Sequence, residues 1–221
     1  MIATRLTRVP PFERGLTLGD FLVPIRLGER AAAWQRNLLM IGVGVLLISL
    51  SAQVYIVLPF TPVAITGQTF GVLFTAALLG LRRSIVTVAL YLLIGFIGLP
   101  IFAEGTSGFA RVATFEGELL SLAPTGGYLL GFLVAGGLVG RLAELGWDRR
   151  IGSSLAAMLV GNVVIYLFGV PWLMASLGVG LEDGLRLGLW PFVLGDALKL
   201  AVAAGLLPVG WWLVRRRSTD L

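Results

Sequence analysis

Six stretches of this sequence are nearly free of charge, and arginines collect in every second gap between them. The stretches lie near residues 38–58, 63–79, 84–99, 124–140, 151–172 and 189–213. About 20 apolar residues in helical form span the hydrocarbon of a bilayer. Within lipid, a backbone satisfies its own polar groups only as helices or as a closed barrel. The composition agrees, with 57% hydrophobic and 13% charged residues, whereas soluble domains carry about 25% charged. The expected fold is therefore an all-α polytopic membrane protein with six transmembrane helices. A basic arm, 1–36, precedes a single membrane domain, 37–214, and a basic tail, 215–221, follows it.

The arginines give the orientation. Fourteen of the seventeen basic residues fall in 1–36, 80–83, 141–150 and 214–221, while the alternate loops hold only Arg111 and Arg186. Cytoplasmic loops are enriched in Lys and Arg, so both ends are expected on the cytoplasmic side of a cell inner (plasma) membrane. The first long apolar run begins at Leu38, so a cleavable signal peptide is not expected. In the arm, Pro10, Pro11 and Pro24 break any long helix. Phe21, Leu22, Val23, Ile25 and Leu27 suit either a segment lying on the membrane surface or a loosely ordered tail.

Several chemistries are excluded. The chain has no cysteine and no histidine, which removes disulfides, thiol and Ser-His-Asp nucleophiles and Cys/His metal sites. No phosphate-binding loop or dinucleotide fingerprint is present, so no cofactor is expected and the chain shows no means of using ATP by itself. The sequence pI of about 10.4 does not indicate nucleic acid, because the basic residues flank apolar runs as topology signals do. An intramembrane aspartyl protease needs two carboxylates in one site, and only Asp196 lies within a span, so the chain is not read as an enzyme.

Within the spans, Asp196 and Lys199 are the ionisable residues left over. Their i, i+3 spacing puts them on one helix face, and an intramembrane ionisable residue costs roughly 2.5–3.5 kcal/mol on insertion scales. Such groups face the bundle interior, where this pair either locks the helix or offers an acceptor and a donor to a polar solute. Pro124-Thr125-Gly126-Gly127-Tyr128 opens the fourth span, and its glycines permit close backbone approach. The irregular element from Pro59 to Thr69 places Thr66, Gln68 and Thr69 at a span entrance. Asn162 needs a partner wherever it sits in the fifth span, with glue between helices as its simplest role. Trp34, Trp147, Trp190, Trp211 and Trp212 fall near span ends, as belt anchors do.

Five blocks together resemble the BioY family, the biotin-binding S components of energy-coupling-factor (ECF) transporters. Thr61-Pro62-Val63-Ala64-Ile65-Thr66-Gly67-Gln68-Thr69-Phe70-Gly71-Val72 is similar to that family's "PVPxTxQTxGV" element. Gly98 to Ala103, Pro124 to Phe132, Gly169 to Leu173 and Pro191 to Lys199 follow in order. The resemblance implies a six-helix protein that captures biotin from outside, with Asp196 and Lys199 contacting the ligand. It also implies a further basic residue for the biotin carboxylate, for which Arg111 is the candidate. The expected binding set is thus Asp196, Lys199, Tyr128, Gly126, Gly127, Thr66, Gln68, Asn162 and Arg111, with no metal. Expected partners are biotin, the lipid bilayer, and the ECF transmembrane coupling protein with its ATPases.

Two departures stand out. The small-residue docking stripe of S components is matched here by Ile41-Gly42-Val43-Gly44-Val45-Leu46-Leu47, with Leu46 where a second Ala is expected. The basic arm is also long. The competing reading is a stand-alone proton-coupled carrier of a small vitamin-like solute, with Asp196 as its relay.

Overall fold

The computed structural model describes residues 15–22, 29–116 and 119–219. Its elements, in chain order, are helices α1 (Gly19–Leu22) and α2 (Glu29–Ala52), strands β1 (Tyr55–Ile56) and β2 (Ile65–Thr66), and helices α3 (Gln68–Leu79) and α4 (Leu81–Phe96). Strands β3 (Ala113–Glu116) and β4 (Leu119–Leu122) come next, followed by α5 (Gly126–Glu144), α6 (Ile151–Leu177), α7 (Leu181–Gly188) and α8 (Trp190–Thr219). Among the described residues, four helical segments are long and apolar enough to cross a membrane: Trp34–Ala52, Gly126–Glu144, Ile151–Leu177 and Trp190–Arg216. Helix α3 has 12 residues, or about 18 Å at 1.5 Å per residue, so it reaches only part of the way across. The α4 helix, with 16 residues, is longer but still short.

Close approach of backbones replaces solvent-driven packing in this bundle. Lipid tails are as apolar as Leu, so helices associate through small residues and interhelical hydrogen bonds. Helix α5 shares its most extensive interface with α6. A Cβ at Gly126 would come within 2.8 Å of the Trp172 ring, and one at Gly131 within 3.0 Å of the Ile165 backbone. Gly127 is likewise pressed against Trp172 and the Phe168 carbonyl. The α3–α4 link is the single residue Gly80, whose φ of 80° is open to glycine at little cost. Glu144 Oε1 accepts from the Leu81 backbone N–H at 2.9 Å and so caps the start of α4.

Two short antiparallel hairpins form the opposite end, and the apolar pattern of the sequence does not show them. Tyr55 pairs with Thr66 and Ile56 with Ile65. In the second hairpin, the register runs from Ala113 opposite Leu122 to Glu116 opposite Leu119. The Thr61 hydroxyl, between β1 and β2, donates to the Leu187 carbonyl at 2.7 Å. That bond ties the first hairpin loop to α7.

Residues 15–22 are part of the basic arm, and they fold back across the far end of the bundle. Asp20 folds back on Thr17 at the start of α1: Asp20 Oδ2 accepts from the Thr17 N–H at 3.0 Å and from its hydroxyl at 3.1 Å. Asp20 Oδ1 receives Arg83 at 2.8 Å and lies 3.9 Å from Arg36. Leu18 is buried against Gly210, and Phe21 meets Trp211 edge-on at 5.5 Å. Val23, Ile25 and Leu27, which with Phe21 and Leu22 suit a membrane-surface segment or a loosely ordered tail, lie outside the described residues, as do 1–14. Trp211 is not a belt anchor. It is buried and donates from Nε1 to Asp148 Oδ2 at 2.6 Å, with the Arg149 guanidinium 4.8 Å from its ring. By contrast, Trp34, Trp190 and Trp212 are exposed at helix ends.

Asp148 sits in the turn between α5 and α6. Burial pushes its carboxyl up to about 6, against the opposing pull of the Trp211 hydrogen bond and the Arg149 charge. The folded chain therefore holds a proton there that an unfolded chain gives up near pH 4. This stabilising contribution is fully present below about pH 4 and is lost as the pH rises through about 6, a total of about 3 kcal/mol. Thermal unfolding of the detergent-purified protein is expected to show a lower midpoint at pH 7.5 than at pH 5. Asp148→Asn, which keeps an acceptor for Trp211, should flatten that difference.

Candidate functional site

Asp196 lies on the second turn of α8, where Trp190 and Pro191 start the helix. It is 3% exposed, and a carboxylate so placed must find donors or neutralise. Four donors meet it. Oδ1 accepts from Lys199 Nζ at 2.9 Å and from the Thr69 hydroxyl at 3.3 Å. Oδ2 accepts from Asn162 Nδ2 at 3.1 Å and from the Tyr166 hydroxyl at 2.5 Å. Lys199 Nζ also reaches the Thr69 oxygen at 3.3 Å. A carboxylate offers about four acceptor positions, so the protein fills them all. The donors come from α3, α6 and α8, which makes this acid the polar junction of three helices.

The junction forms part of the wall of a cavity that opens to solvent. Ligand pockets commonly combine apolar walls with a few placed polar groups. Apolar walls come from Val63, Phe102, Leu129, Phe132, Ile165 and Phe192. Tyr128 lines the cavity from α5, and its hydroxyl is anchored on the Gly188 carbonyl at 2.7 Å. Gln68 opens α3, where Nε2 donates to the Tyr91 hydroxyl at 2.5 Å and Oε1 accepts from Thr66 at 3.2 Å. Thr66 is thereby fixed at the same wall.

Arg111 enters from the long connection between α4 and β3. Its Nε donates to the Thr106 hydroxyl at 2.7 Å, and Nη2 lies 3.5 Å from the Ala103 carbonyl and 3.9 Å from Glu104 Oε1. Thr125 Oγ1 donates to the Arg111 carbonyl at 2.9 Å, tying that connection to the start of α5. Both Arg111 and Glu104 line the cavity. Among the described residues, no group of three potential His, Cys, Asp or Glu ligands could hold a metal ion.

Of the residues expected from sequence, Asp196, Lys199, Tyr128, Thr66, Gln68 and Arg111 are brought to one cavity. Gly126 and Gly127 are placed elsewhere, under Trp172, where they permit the α5–α6 approach. Asn162 stands behind the acid as a donor to it and is not part of the wall. Tyr166 and Glu104 are additions that sequence reasoning missed. Tyr166 had a signal, since it follows Asn162 by four residues and so shares its helix face. Glu104 had none, because its place depends on the path of a loop.

Residues 26–216 match the BioY family. The chain belongs to that family. A protein named biotin transporter BioY, from Rhizobium etli, is 34% identical over 171 residues, covering 73% of this chain and 86% of its own. A protein of the same name from Thermotoga maritima is 35% identical over 169 residues, covering 76% of this chain and 92% of its own. The fold is similar to the 2.1 Å crystal structure of the S-component for biotin from an ECF-type ABC transporter. The TM-score is 0.69 at 24% identity, over 82% of this chain and 93% of that one. As a BioY-family chain with long apolar helices, this is an integral membrane protein, and the family is one of transporters rather than enzymes.

Removing single donors tests the junction. Tyr166→Phe deletes one hydrogen bond to a charged acceptor and is expected to cost about 1.5–3 kcal/mol of stability. Lys199→Met leaves the buried carboxylate without its counter-charge and is expected to cost more, about 3–5 kcal/mol. Differential scanning fluorimetry in detergent reads both, and the order Lys199→Met below Tyr166→Phe below wild type is the expected result.

Proposed function

We propose that this chain is the substrate-binding membrane subunit of a biotin transporter, capturing biotin at the outer side for movement inward. The observation that carries it is the cavity, where a saturated acid–amine pair sits among apolar walls and an arginine stands in the same space. A biotin ureido ring offers two N–H donors and one carbonyl, and its bicycle and tail want apolar surface. Lys199 Nζ has three N–H groups, of which two are directed to Asp196 and Thr69. The third is free for a ligand carbonyl. A ligand N–H reaches Asp196 by taking the place of the weak 3.3 Å donor Thr69, which then turns its hydroxyl to the ligand. Arg111 supplies charge for the carboxylate, and Tyr128, Thr66 and Gln68 complete the polar contacts. Relatives named biotin transporters and the fold shared with a biotin S-component support the choice of ligand.

The same proposal includes six crossings of the inner (plasma) membrane, with α3 and α4 as the short pair and both chain ends cytoplasmic. The arginine distribution supports it: Arg82 and Arg83 in the first turn of α4, Arg141 in the last turn of α5, and Arg149 and Arg150 in the α5–α6 connection gather at the end opposite the cavity. An energising ECF coupling protein with its ATPases would dock along α2. Gly42 is open to its surroundings there and Leu46 is exposed, whereas Gly44 is packed inward against Thr75 and Thr87. A docking face of this chain is accordingly Leu-bearing where the family resemblance implies a small residue.

Isothermal titration of the purified protein with biotin is expected to show binding. Asp196→Asn and Lys199→Ala are each expected to weaken it by about 1.5–3 kcal/mol, roughly 10- to 150-fold. Unchanged affinity in both variants would falsify the site. Uptake by vesicles lacking any ATPase, abolished when the proton gradient is collapsed, would identify a stand-alone carrier instead.

A further inference from the structure

The cavity carries two fixed cations and two carboxylates, and only one of these pairs is tight. Lys199 and Asp196 are 2.9 Å apart and largely buried, whereas Arg111 and Glu104 are 3.9 Å apart at the solvent-exposed side of the wall. The Glu104 side chain is 39% exposed. Its backbone is unusual, with φ 61° and ψ 23°, the one non-glycine residue with positive φ among the described residues. Non-glycine residues held in the left-handed region persist where the surroundings over-determine them, and they gather at binding sites. Here a tight loop imposes the conformation. The Phe102 N–H donates to the Thr106 carbonyl at 3.1 Å, the Thr106 N–H to the Ala103 carbonyl at 3.2 Å, and the Thr106 hydroxyl to that same carbonyl at 2.7 Å. Thr106 in turn accepts from Arg111 Nε at 2.7 Å. One hydroxyl thus positions both the arginine and the turn that presents the glutamate.

We infer that Glu104 is a built-in stand-in for a ligand carboxylate: it faces Arg111 and swings to solvent when an anionic ligand takes the guanidinium. The inference rests on the biotin-binding reading of this cavity and adds a determinant of charge selectivity to it. The electrostatics give the direction. With Glu104 in place, the cavity walls are balanced, and an entering carboxylate brings one negative charge too many. Glu104 therefore opposes an anionic ligand twice, by occupying Arg111 and by direct repulsion, and it leaves a neutral analogue unaffected. Its weak, half-exposed pairing keeps this opposition small, because exposed ion pairs are worth little. The glutamate thus tunes the affinity for anions downward without preventing their binding.

The test is titration of biotin and of uncharged biotinamide into the full-length protein and its Glu104→Gln variant, with Arg111→Gln and the double variant closing a cycle. The expected result for Glu104→Gln is biotin binding tightened about two- to fivefold, with biotinamide unchanged. In the Arg111→Gln background the gain should shrink, because the competition for the guanidinium is gone. If the wild type binds biotin and Glu104→Gln leaves it unchanged or weaker, the stand-in role is overturned while the biotin reading stands. Equal tightening of biotin and biotinamide also overturns it, since charge is then not what is sensed. If the wild type binds neither compound, the biotin reading fails and this inference with it. Matching melting temperatures for wild type and Glu104→Gln confirm that both are folded when compared.

Discussion

A single carboxylate, buried among three helices and met by four donors, sets the geometry on which the rest of this molecule depends. Taking such a group out of water costs several kcal/mol even after relaxation, and only close donors and a counter-charge offset that. Asp196 collects its donors from Thr69 on α3, Asn162 and Tyr166 on α6, and Lys199 on its own helix. Each helix is therefore fixed in rotation about its axis, since turning any one of them strands the charge. The cavity beside the junction is a product of that fixing. Its polar centre is rigid before any solute arrives, and preorganised sites lose less on binding than sites that must be ordered.

The cavity also needs helices that come together elsewhere. Gly126, Gly127 and Gly131 let α5 lie against Trp172, Phe168 and the backbone of α6. Gly169 of α6 makes room in the same way for the Tyr128 ring, whose hydroxyl then anchors on Gly188 ahead of α8. Helix contact and cavity wall are thus built from the same stretch of α5, with glycines on one side and Tyr128, Leu129 and Phe132 on the other. The aromatic groups around Tyr91, Phe96 and Phe102 close the neighbouring side through edge-on contacts at 5.5–5.6 Å.

How much of this could be read from the sequence depends on the range of the interactions involved. Hydropathy located the long helices α5, α6 and α8, because a run of apolar residues is local composition, but the run read as 38–58 stops being helix at Ala52. The pairing of Asp196 with Lys199 was legible, since an i, i+3 spacing and the cost of an intramembrane charge decide it without a tertiary structure. Gly126 and Gly127 were legible as close-approach residues, but sequence alone could not tell a ligand from an indole as the thing approached. The hairpins at 55–66 and 113–122, helix α7 and the placement of Glu104 were not legible. Their conformations follow from hydrogen bonds between loops far apart in the chain, such as Thr61 to Leu187 and Thr125 to Arg111. The return of residues 15–22 was hidden for the same reason. Thr17 and Asp20 are close enough in sequence to bond each other, but nothing local says that Arg83 and Trp211 stand ready to receive that turn.

That return fastens the ends of α2, α4 and α8 with one short turn, through Arg36, Arg83 and the Phe21–Trp211 contact, and Trp211 passes the link on to Asp148 at the α5–α6 corner. The bundle is hooped at that rim like a barrel, whereas the cavity's end carries two short hairpins and loops tied to their neighbours by single bonds such as Thr61 to Leu187. The ties between elements are therefore unequal along the long axis: one turn reaches several helices at the hooped end, and single bonds serve the loop-bearing end.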